Sequence, residues 1–460
     1  MKEDLEIEKI ANMIRSKSRE QLISLLNFNK ENASFIELEL QICKNLNEIG
    51  AIILEQLVPL KYGDGYKGSK VNIDQETTYS CIAKDRPRGL LTAFGKITIH
   101  RAAYTEFHSG GLKSFIDEAL DIENKRVSPL VRYWSDLLGT TQPFDEAAST
   151  LLKIRGIDLS KTQIELSTES IGAKIAKAHD EQIKEIVLNK KGEVAPAEIN
   201  LNLNAEKTVY IETDGCHINT ENDWKECKTF MLFELEQITK EERRLKNKRY
   251  YSTMKDVNEI KRQLKFHLER YCAKDEDRIA CIGDGANWIW NMVEELFPKD
   301  IFHSGIIEIV DWYHAKEKIV QIRTEIFGDT GEGRKFQDEC ESYLIQGNIE
   351  VVEQLLEQLR DKQQLEEKRK FVDDKLIYFM GNKDKMRYEK FREKGYCIGS
   401  GAIESANKYV VQRRLKLPGM KWKEENANYM AHLRAEYING EMDKHYGLNI
   451  NPLGNTVAVT

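Results

Sequence analysis

The stretch TVYIETDG, residues 208–215, joins a run of strand-forming residues to an acid and a glycine. RIACIGDG at 278–285 follows the same plan, and GIIEIVDW at 305–312 also joins an apolar run to an acid, although tryptophan stands in place of the glycine. Between the first and the second lie two further candidate strands, KTFMLFELEQI and RYYSTMK, and then the amphipathic helix NEIKRQLKFHLERYC. The order is therefore three strands, a helix, and then strands alternating with helices.

That order is typical of a ribonuclease H-like α/β domain, which is the fold class we predict for this half of the chain. Its first part would span residues 205–332 and its second part residues 381–440. Charged helical sequence such as VVEQLLEQLRDKQQLEEKRK fills residues 333–380, so we expect an all-helical insertion there. Residues 441–460 form a tail.

The N-terminal half is predicted to be mostly helical, with one small β-hairpin. We divide it into a helical region at 1–60, a hairpin-containing region at 61–126 around RGLLTAFGKITIHRAAY, and a helical region at 127–200. In the last region PFDEAASTLLKIRGIDLSKTQIELSTESIG contains a glycine turn between two helices, and Ser160 and Gln163 form a candidate capping box. This is either a DNA-reading helix-turn-helix or a plain helical hairpin.

Composition and charge restrict the kinds of protein that this chain can be. The 460 residues are 41% hydrophobic and 32% charged, with a formal net charge of −7, so any DNA binding must depend on local basic patches. The acidic start MKEDLEIEK argues against a signal peptide, and no apolar run is long enough to span a bilayer. The eight cysteines never form a CxxC pair. We therefore expect reduced thiols in a soluble cytoplasmic protein.

Three acids are candidates for a metal site: Asp214 in ETDG, Asp284 in GDGA and Glu404 in GAIES. The two aspartates follow β-rich runs, where α/β proteins place their sites. Three converging carboxylates repel one another unless cations neutralise them, and oxygen ligands suit Mg²⁺ or Mn²⁺. Two such ions can activate a nucleophile and stabilise the leaving oxygen of a phosphodiester. The alternative is that each Asp-Gly pair is an ordinary solvated turn.

A second polar pair, Asp311 and His314, follows the apolar strand GIIEIV. The residues alone leave two interpretations open. Asp311 either caps the helix AKEKIVQI or takes part in the site with His314.

Five ordered motifs together resemble the ISKra-type bacterial insertion-sequence transposases, part of the Mutator-like group of DDE transposases. They are YIETDG, CIGDGANWIW, IVDWYHAKEKI, YCIGSGAIESANKYVVQRRLKLPGMKW and MAHLRA, which lie within residues 205–436. The block from IGSGAIES to RLKLPGMKW is the most specific. More weakly, FGKITIHRAAY, FIDEAL and the PFDEAASTLLKIRGIDLS segment resemble the N-terminal half of the family.

The resemblance implies a ribonuclease H-like catalytic domain whose Asp-Asp-Glu triad is Asp214, Asp284 and Glu404. It also implies an auxiliary role for Asp311 and His314, which match a motif between the second and third acids. The expected activity is cleavage at the ends of an insertion sequence and transfer of the 3′-hydroxyl strand to target DNA, with two Mg²⁺ or Mn²⁺ ions. The alternatives are a catalytically silent or domesticated protein that binds transposon ends, and a ribonuclease H-like nuclease without strand transfer.

Double-stranded DNA is the expected partner, bound by a homo-oligomer that is at least a dimer. Two basic, aromatic segments are the candidate contacts, and Trp422 in the second is a candidate for stacking on an unpaired base. Their residues are Arg243, Arg244, Lys248 and Arg249, and Lys408, Arg413, Arg414, Lys416, Lys421, Trp422 and Lys423. The family often has paired cysteines after the hairpin, where this chain reads AAYTEFHSGG. Cys81 and His108 cannot complete a tetrahedral site, so no zinc is expected.

Overall fold

The computed structural model describes residues 2–28, 34–73, 77–106, 110–199, 201, 207–238, 242–272, 278–302, 306–450 and 456–458. His108, named above, lies outside them. The chain divides into two compact units, Met1–Thr168 and Glu169–Thr460. None of the described helices combines the length and the apolar character that a membrane crossing requires.

The first unit begins with two long helices, α1 (Lys2–Asn27) and α2 (Phe35–Tyr62). Ser34 caps α2 in a capping box with Glu37, which satisfies two backbone N–H groups at the start of the helix. The two helices are joined by polar contacts, since the Gln21 side chain donates to the backbone oxygen of Asn45 at 3.1 Å.

A four-stranded antiparallel sheet in the order β1-β2-β3-β4 packs on α2. Its central pair is the predicted hairpin, which is confirmed: Thr92 pairs with Gly95 across the turn that contains Phe94. Val58 of α2 is buried with Leu90 and Ile97 of this pair. The strands are β1 (Lys70–Asn72), β2 (Thr78–Thr92), β3 (Gly95–Glu106) and β4 (Leu112–Lys113).

Four helices follow the sheet. They are α3 (Phe115–Ala119), α4 (Pro129–Thr141), α5 (Phe144–Arg155) and α6 (Lys161–Gln182). The helix, turn and helix predicted here are confirmed, with Gly156 in a left-handed conformation after α5. The capping box is also present, because the Ser160 hydroxyl accepts from the N–H of Gln163 and the Gln163 side chain accepts from the N–H of Ser160.

The second unit is built on a five-stranded sheet in the order β7-β6-β5-β8-β9. β5 is antiparallel to β6 and parallel to β8, and β8 is parallel to β9. Most apolar residues of β5, β6 and β8 are almost fully buried, which fits strands covered on both faces, whereas Trp224 at the start of β6 is exposed. The strands are β5 (Thr208–Asn219), β6 (Trp224–Gln237), β7 (Arg243–Thr253), β8 (Arg278–Gly283) and β9 (Ile307–Val310).

Three helices connect or follow these strands: α7 (Val257–Tyr271), α8 (Asn287–Leu296) and α9 (Trp312–Ile322). Each was expected from its apolar periodicity. β5 is longer than expected: it continues past Asp214 to Asn219 because it stays paired with β6, but its parallel pairing with β8 ends at Glu212. The sheet edge near Asp214 is therefore formed by β5, β8 and β9.

The segment after α9 is helical, as predicted for the insertion. A π-helical turn at Arg323–Phe327 leads into α10 (Gly331–Ile345), α11 (Ile349–Asp361), α12 (Glu366–Gly381) and, after a 3₁₀ turn, α13 (Tyr388–Glu393). Their apolar residues join the same buried core as the sheet, including Leu344, Leu356 and Phe379.

The last part of the chain returns to the sheet. A helix over residues 401–415 consists of α14 (Gly401–Ala406), a π-helical segment Asn407–Gln412 and α15 (Arg413–Leu415). After a loop come α16 (Glu424–Asn439), a 3₁₀ turn, and the short paired strands β10 (Leu448–Ile450) and β11 (Thr456–Ala458). The basic helix predicted behind Glu404 is thus shorter than expected and ends at Leu415.

A buried polar cluster holds α16 to α6. The Nδ1 atoms of His179 and His432 lie 2.9 Å apart, and Glu436 accepts from the ring of His179. Burial holds the pKa of His432 well below its usual range, so this ring is neutral in the packed structure.

Candidate functional site

Three side chains on one face of β5 are bound to the segment that carries Glu404. Tyr210, Glu212 and Asp214 alternate along the strand and therefore point the same way. Tyr210 Oη accepts from the N–H of Cys397 at 3.3 Å, and Glu212 Oε2 accepts from the N–H of Ile403 at 2.7 Å. Asp214 Oδ2 accepts from Nδ2 of Asn407 at 2.7 Å. Residues 397–407 are in this way fixed along β5.

The three aspartates lie just past the ends of the parallel pairing. Glu212 and Ile282 are the last pair of β5 with β8, and Asp214 and Asp284 each follow that pair by two residues. Gly283 and Val310 are the last pair of β8 with β9, and Asp284 and Asp311 each follow that pair by one residue. The N–H of Asp311 donates to the backbone oxygen of Gly283 at 2.8 Å. The carboxyl edge of β5, β8 and β9 therefore carries all three aspartates.

The charge state of Asp214 reflects this neighbourhood. Burial raises the pKa of its carboxyl group, and the carboxylate of Asp284 raises it further. The hydrogen bonds from the Gly215 N–H and from Asn407 act in the opposite direction, because they stabilise the ionised form. Burial and the charge of Asp284 therefore both favour the protonated form of Asp214.

Asp284 lies in a tight turn after β8. Its Oδ1 accepts from the N–H of Ala286 at 2.8 Å, and its backbone oxygen accepts from the Tyr378 hydroxyl at 2.9 Å. Gly285 has φ +91°, and a Cβ there would lie 2.6 Å from the Tyr378 ring. The turn therefore requires glycine, and a helix of the insertion, α12, holds it in place.

Asp311 caps a helix and also contacts His314. It caps α9, accepting from the N–H groups of Tyr313 and His314 at 3.2 and 3.1 Å. It also accepts from the N–H of Ser400 at 2.8 Å and lies 2.5 Å from Nδ1 of His314. The side chain is fully buried, and a Cβ at the nearby Gly399 would lie 2.9 Å from the ring of Tyr313. Capping and imidazole binding are properties of the same carboxylate.

His314 faces the aspartates. The hydrogen bond that the ring donates to Asp311 raises the pKa of its imidazole above 6.5, and the charges of Asp284 and Asp214 raise it further, against the effect of burial. The carboxyl group of Asp311 shows the complementary shift. Burial disfavours its ionisation, but the hydrogen bonds from His314 and Ser400 outweigh burial and lower its pKa.

Glu404 is less closely associated with the aspartates. Its side chain is exposed on the first turn of α14, although the neighbouring Ile403 and the nearby Asn407 are bound to β5. Among the described residues, no group of three or more His, Cys, Asp or Glu side chains is arranged to hold a metal ion. Asp214 and Asp284 fit a hard cation by position and charge, whereas the third acid does not converge on them in this arrangement.

A fourth acid, Glu212, lies on the same face of β5 as Asp214 and was missed by the sequence analysis. It is fully buried, and burial, with a contribution from Asp311, raises its pKa to about 8 despite the hydrogen bond from Ile403. Its Oε1 atom is buried without a hydrogen-bond partner. The carboxyl group is therefore protonated at neutral pH and acts as a support for the start of α14.

The two predicted basic segments differ in their surroundings. Arg243, Arg244, Lys248 and Arg249 are exposed on β7, the edge strand, where Arg243 also donates to the backbone oxygen of Gly395. The other segment is partly on the helix and partly in the loop after it. Its exposed residues are Lys408, Arg413, Lys416, Lys421 and Lys423.

Two residues of the second segment that were predicted to contact DNA are buried. Arg414 is 1% exposed and Trp422 is 7% exposed, with the guanidinium 5.1 Å from the centre of the indole ring. The indole N–H donates to the backbone oxygen of Leu415, and the backbone of Trp422 pairs with the end of β5 at Asn219. Neither side chain is available to DNA here, because the loop folds back against the sheet.

Asn407 and Ser400 are the other residues that the sequence analysis missed. Asn407 is 2% exposed, and its Oδ1 is buried without a hydrogen-bond partner. Both residues lie inside the quoted motif GSGAIESANK, where Asn407 follows Glu404 by three positions and so lies on the same side of the helix. The three-residue spacing between Glu404 and Asn407 is the sequence feature from which a role for Asn407 could have been predicted.

The model of the Uncharacterised protein family (UPF0236) matches residues 28–448. No curated protein matches the chain.

Proposed function

The chain belongs to the uncharacterised protein family UPF0236, and we propose that it is a DNA transposase of the ISKra type. In this proposal it cleaves at the ends of an insertion sequence and joins the freed 3′-hydroxyl to target DNA. The motifs quoted above suggest this reaction, and the geometry of the sheet edge supports it.

The proposed fold class is a ribonuclease H-like domain with a helical insertion. The sheet order β7-β6-β5-β8-β9, with β6 antiparallel to its neighbours, supports it. So does the position of the insertion, which follows α9 and precedes the segment with Glu404.

The observation that carries the proposal is the placement of the aspartates at the carboxyl edge. Asp214 and Asp284 each follow the last pair of two adjacent parallel strands by two residues, and the charge of Asp284 raises the pKa of Asp214. Two unrelated solvated turns would have no reason to place their acids close enough to affect one another. A pair of mutually repelling carboxylates at such an edge is well suited to bind a divalent cation.

Asp214 and Asp284 would hold the cation, with Glu404 as the third acid. When bound, Mg²⁺ or Mn²⁺ supplies Lewis-acid stabilisation of the phosphodiester and a more acidic attacking hydroxyl. Asn407 orients the Asp214 carboxylate through its amide N–H, and Glu212 fixes the start of the helix that presents Glu404.

His314 is suited to bind a phosphate oxygen. Asp311 fixes the ring through Nδ1 and raises its pKa, so a protonated imidazole is favoured beside the scissile strand. The exposed cations Arg413, Lys416 and Lys421 would contact the DNA backbone. The loop that contains Trp422 is anchored at the end of β5, the strand that carries Asp214.

A second candidate function is a protein that binds transposon ends without cutting them. The exposed side chain of Glu404, which no described contact joins to Asp214 or Asp284, favours it. Both candidates predict binding to end DNA, and only the first predicts a cut.

The deciding experiment incubates the full chain with duplexes taken from the DNA that flanks its own gene, in Mg²⁺. The proposal predicts strand cleavage at a fixed position near a terminal inverted repeat, followed by joining to a second duplex. Binding without any cut would favour the second candidate, and neither binding nor cutting would remove both.

A further inference from the structure

An apolar stripe runs the length of α2, and most of its residues are exposed. On its inner side, α2 packs Ala51, Leu54 and Val58 against the hairpin. On the other side of the helix, apolar residues recur every three or four positions: Phe35, Leu38, Ile42, Leu46, Ile49, Ile53, Leu57 and Leu60. We call this set the α2 stripe.

Much of the α2 stripe is exposed, although the apolar face of a helix in a globular protein is usually buried. Phe35 is 75% exposed, Leu46 59% and Leu60 46%, while Ile49 and Ile53 are half-buried. At a rise of 1.5 Å per residue the stripe is about 38 Å long, and with a helix about 10 Å wide it covers about 400 Å². Exposed apolar patches of that size commonly mark interaction surfaces.

The spacing of the stripe matches a second copy of itself. When a second copy of α2 runs in the opposite direction, the eight positions of one helix lie opposite the eight positions of the other. The centre of this symmetry lies between Asn47 and Glu48. In an antiparallel pair each apolar residue would then face an apolar residue of the other copy. The facing pairs are Phe35 with Leu60, Leu38 with Leu57, Ile42 with Ile53, and Leu46 with Ile49. A two-fold interface requires this self-complementarity, in which residue i meets j and j meets i.

We propose that the α2 stripe is a dimer interface in which two copies of this chain pair their α2 helices antiparallel across a two-fold axis. The three- and four-residue spacing is the pattern by which helices pack side by side. The proposal rests on the first unit alone and is independent of the proposed reaction.

The first test is the association of the full-length protein without DNA, measured by sedimentation velocity over a range of concentrations. The wild type is expected to be a dimer. Leu46→Asp should raise the dimer dissociation constant at least about 100-fold, because each copy would bury an unpaired carboxylate. Leu40→Asp is the matched control: the same residue type on the same helix, 62% exposed but away from the stripe.

Circular dichroism spectra and thermal midpoints of both variants check that the fold is kept. A wild type that is monomeric at every concentration would overturn the proposal. So would an equal loss of association in the two variants.

Crosslinking tests the orientation and does not require a disruptive substitution. In a Cys43→Ser background, which removes the exposed native thiol, Ile42→Cys and Ile53→Cys are made as separate variants. An antiparallel pair brings these two positions together and separates the two copies of either position by about 16 Å along the helices, so oxidation should give a crosslinked dimer only when the two variants are mixed. Crosslinking of Ile42→Cys alone would indicate parallel helices, and the absence of any crosslink would indicate another surface. Either result would contradict the proposal.

Discussion

The amide nitrogen of Asn407 donates a hydrogen bond of 2.7 Å to Oδ2 of Asp214. Asn407 begins the π-helical segment within the 401–415 helix, and such segments are frequent at functional sites. The bond joins the helix that carries Glu404 to the strand that carries the first aspartate. Asn407 thus connects Asp214, one proposed ligand, to the helix that presents Glu404, another proposed ligand.

Replacing Asn407 should weaken cation binding in a pH-dependent way. Its hydrogen bond lowers the pKa of Asp214, so Asn407→Leu raises that pKa further and lets protons compete with the cation. We expect Mn²⁺ affinity at pH 7 to fall about tenfold and to recover partly at higher pH. Titration calorimetry at several pH values measures this, with the exposed neighbour Ser405→Ala as control. A loss that is equal at every pH would mean that Asn407 acts only on packing.

Substitutions of Asp311 and His314 should distinguish a role in helix capping from a role in DNA cleavage. Asp311→Ser keeps a helix cap, since serine caps about as well as aspartate, but it loses the charge that holds the imidazole. We expect a loss of stability of about 1–3 kcal/mol, because the N–H of Ser400 loses its acceptor. We also expect the folded variant to cleave at least about tenfold more slowly, equal to about 1.4 kcal/mol in barrier. His314→Ala should slow the same step. Cleavage by Asp311→Ser within twofold of wild type would leave only the capping role.

The pKa of His314 provides a readout that does not depend on activity. In the metal-free protein, NMR titration should give a value above 6.5, because Asp311 and the two other aspartates stabilise the protonated ring. Asp311→Asn should lower it. An unchanged value would show that Asp311 does not control this imidazole.

Several of these features were predictable from the sequence. The acids after the apolar runs, the hairpin turn at Phe94 and the capping box at Ser160 are local patterns, and local chemistry decides them. The contacts of Asn407 with Asp214 and of His179 with His432 join residues 193 and 253 positions apart. No periodicity reports such pairs, since only the folded topology brings them together.

Burial caused the errors in the basic segment. Arg414 and Trp422 belong by composition to a run of exposed cations, and the sequence does not indicate that the loop after Leu415 folds back onto β5. The same docking leaves Arg413 and Lys416 exposed, so only part of the run is available to a polyanion.

Arg413 and Arg414 therefore form a matched pair for testing DNA contact. Arg413→Ala should leave the fold unchanged and reduce the log–log salt slope of binding to duplex DNA by about 0.9. Arg414→Ala should instead destabilise the protein by about 2 kcal/mol or more, because it empties a buried site beside Trp422. Binding titrations at several salt concentrations and chemical denaturation separate the two. An unchanged slope for Arg413→Ala would mean that this residue only faces solvent.

Glu212 should make the stability of the second unit depend on pH. Its pKa rises from an ordinary 4.5 to about 8 in the folded chain, so the folded state holds a proton that the unfolded state releases between these values. Its contribution to stability is full below about pH 4.5 and is lost as pH rises to about 8, with a slope of up to about 1.4 kcal/mol per pH unit.

Glu212→Gln keeps the acceptor for Ile403 but cannot ionise, so the variant should lose this slope and become more stable than wild type at pH 8. Denaturant unfolding of both proteins from pH 5 to 8 measures the difference, in which other titrating groups cancel. Parallel stability curves would show that Glu212 is ionised in the folded state.

The central claim is that Asp214 and Asp284 are catalytic ligands at one sheet edge, and Asp284→Asn tests it most directly. The substitution keeps side-chain size and removes a charge, and Asp338→Asn, at an exposed acid of the helical insertion, is the control. With duplexes from the flanks of the gene and Mg²⁺, we expect wild type and Asp338→Asn to cut and join strands, and Asp284→Asn to bind the duplex without cutting. Asp214→Asn and Glu404→Gln should behave as Asp284→Asn does. Cleavage by Asp284→Asn at a rate near that of wild type would contradict the account.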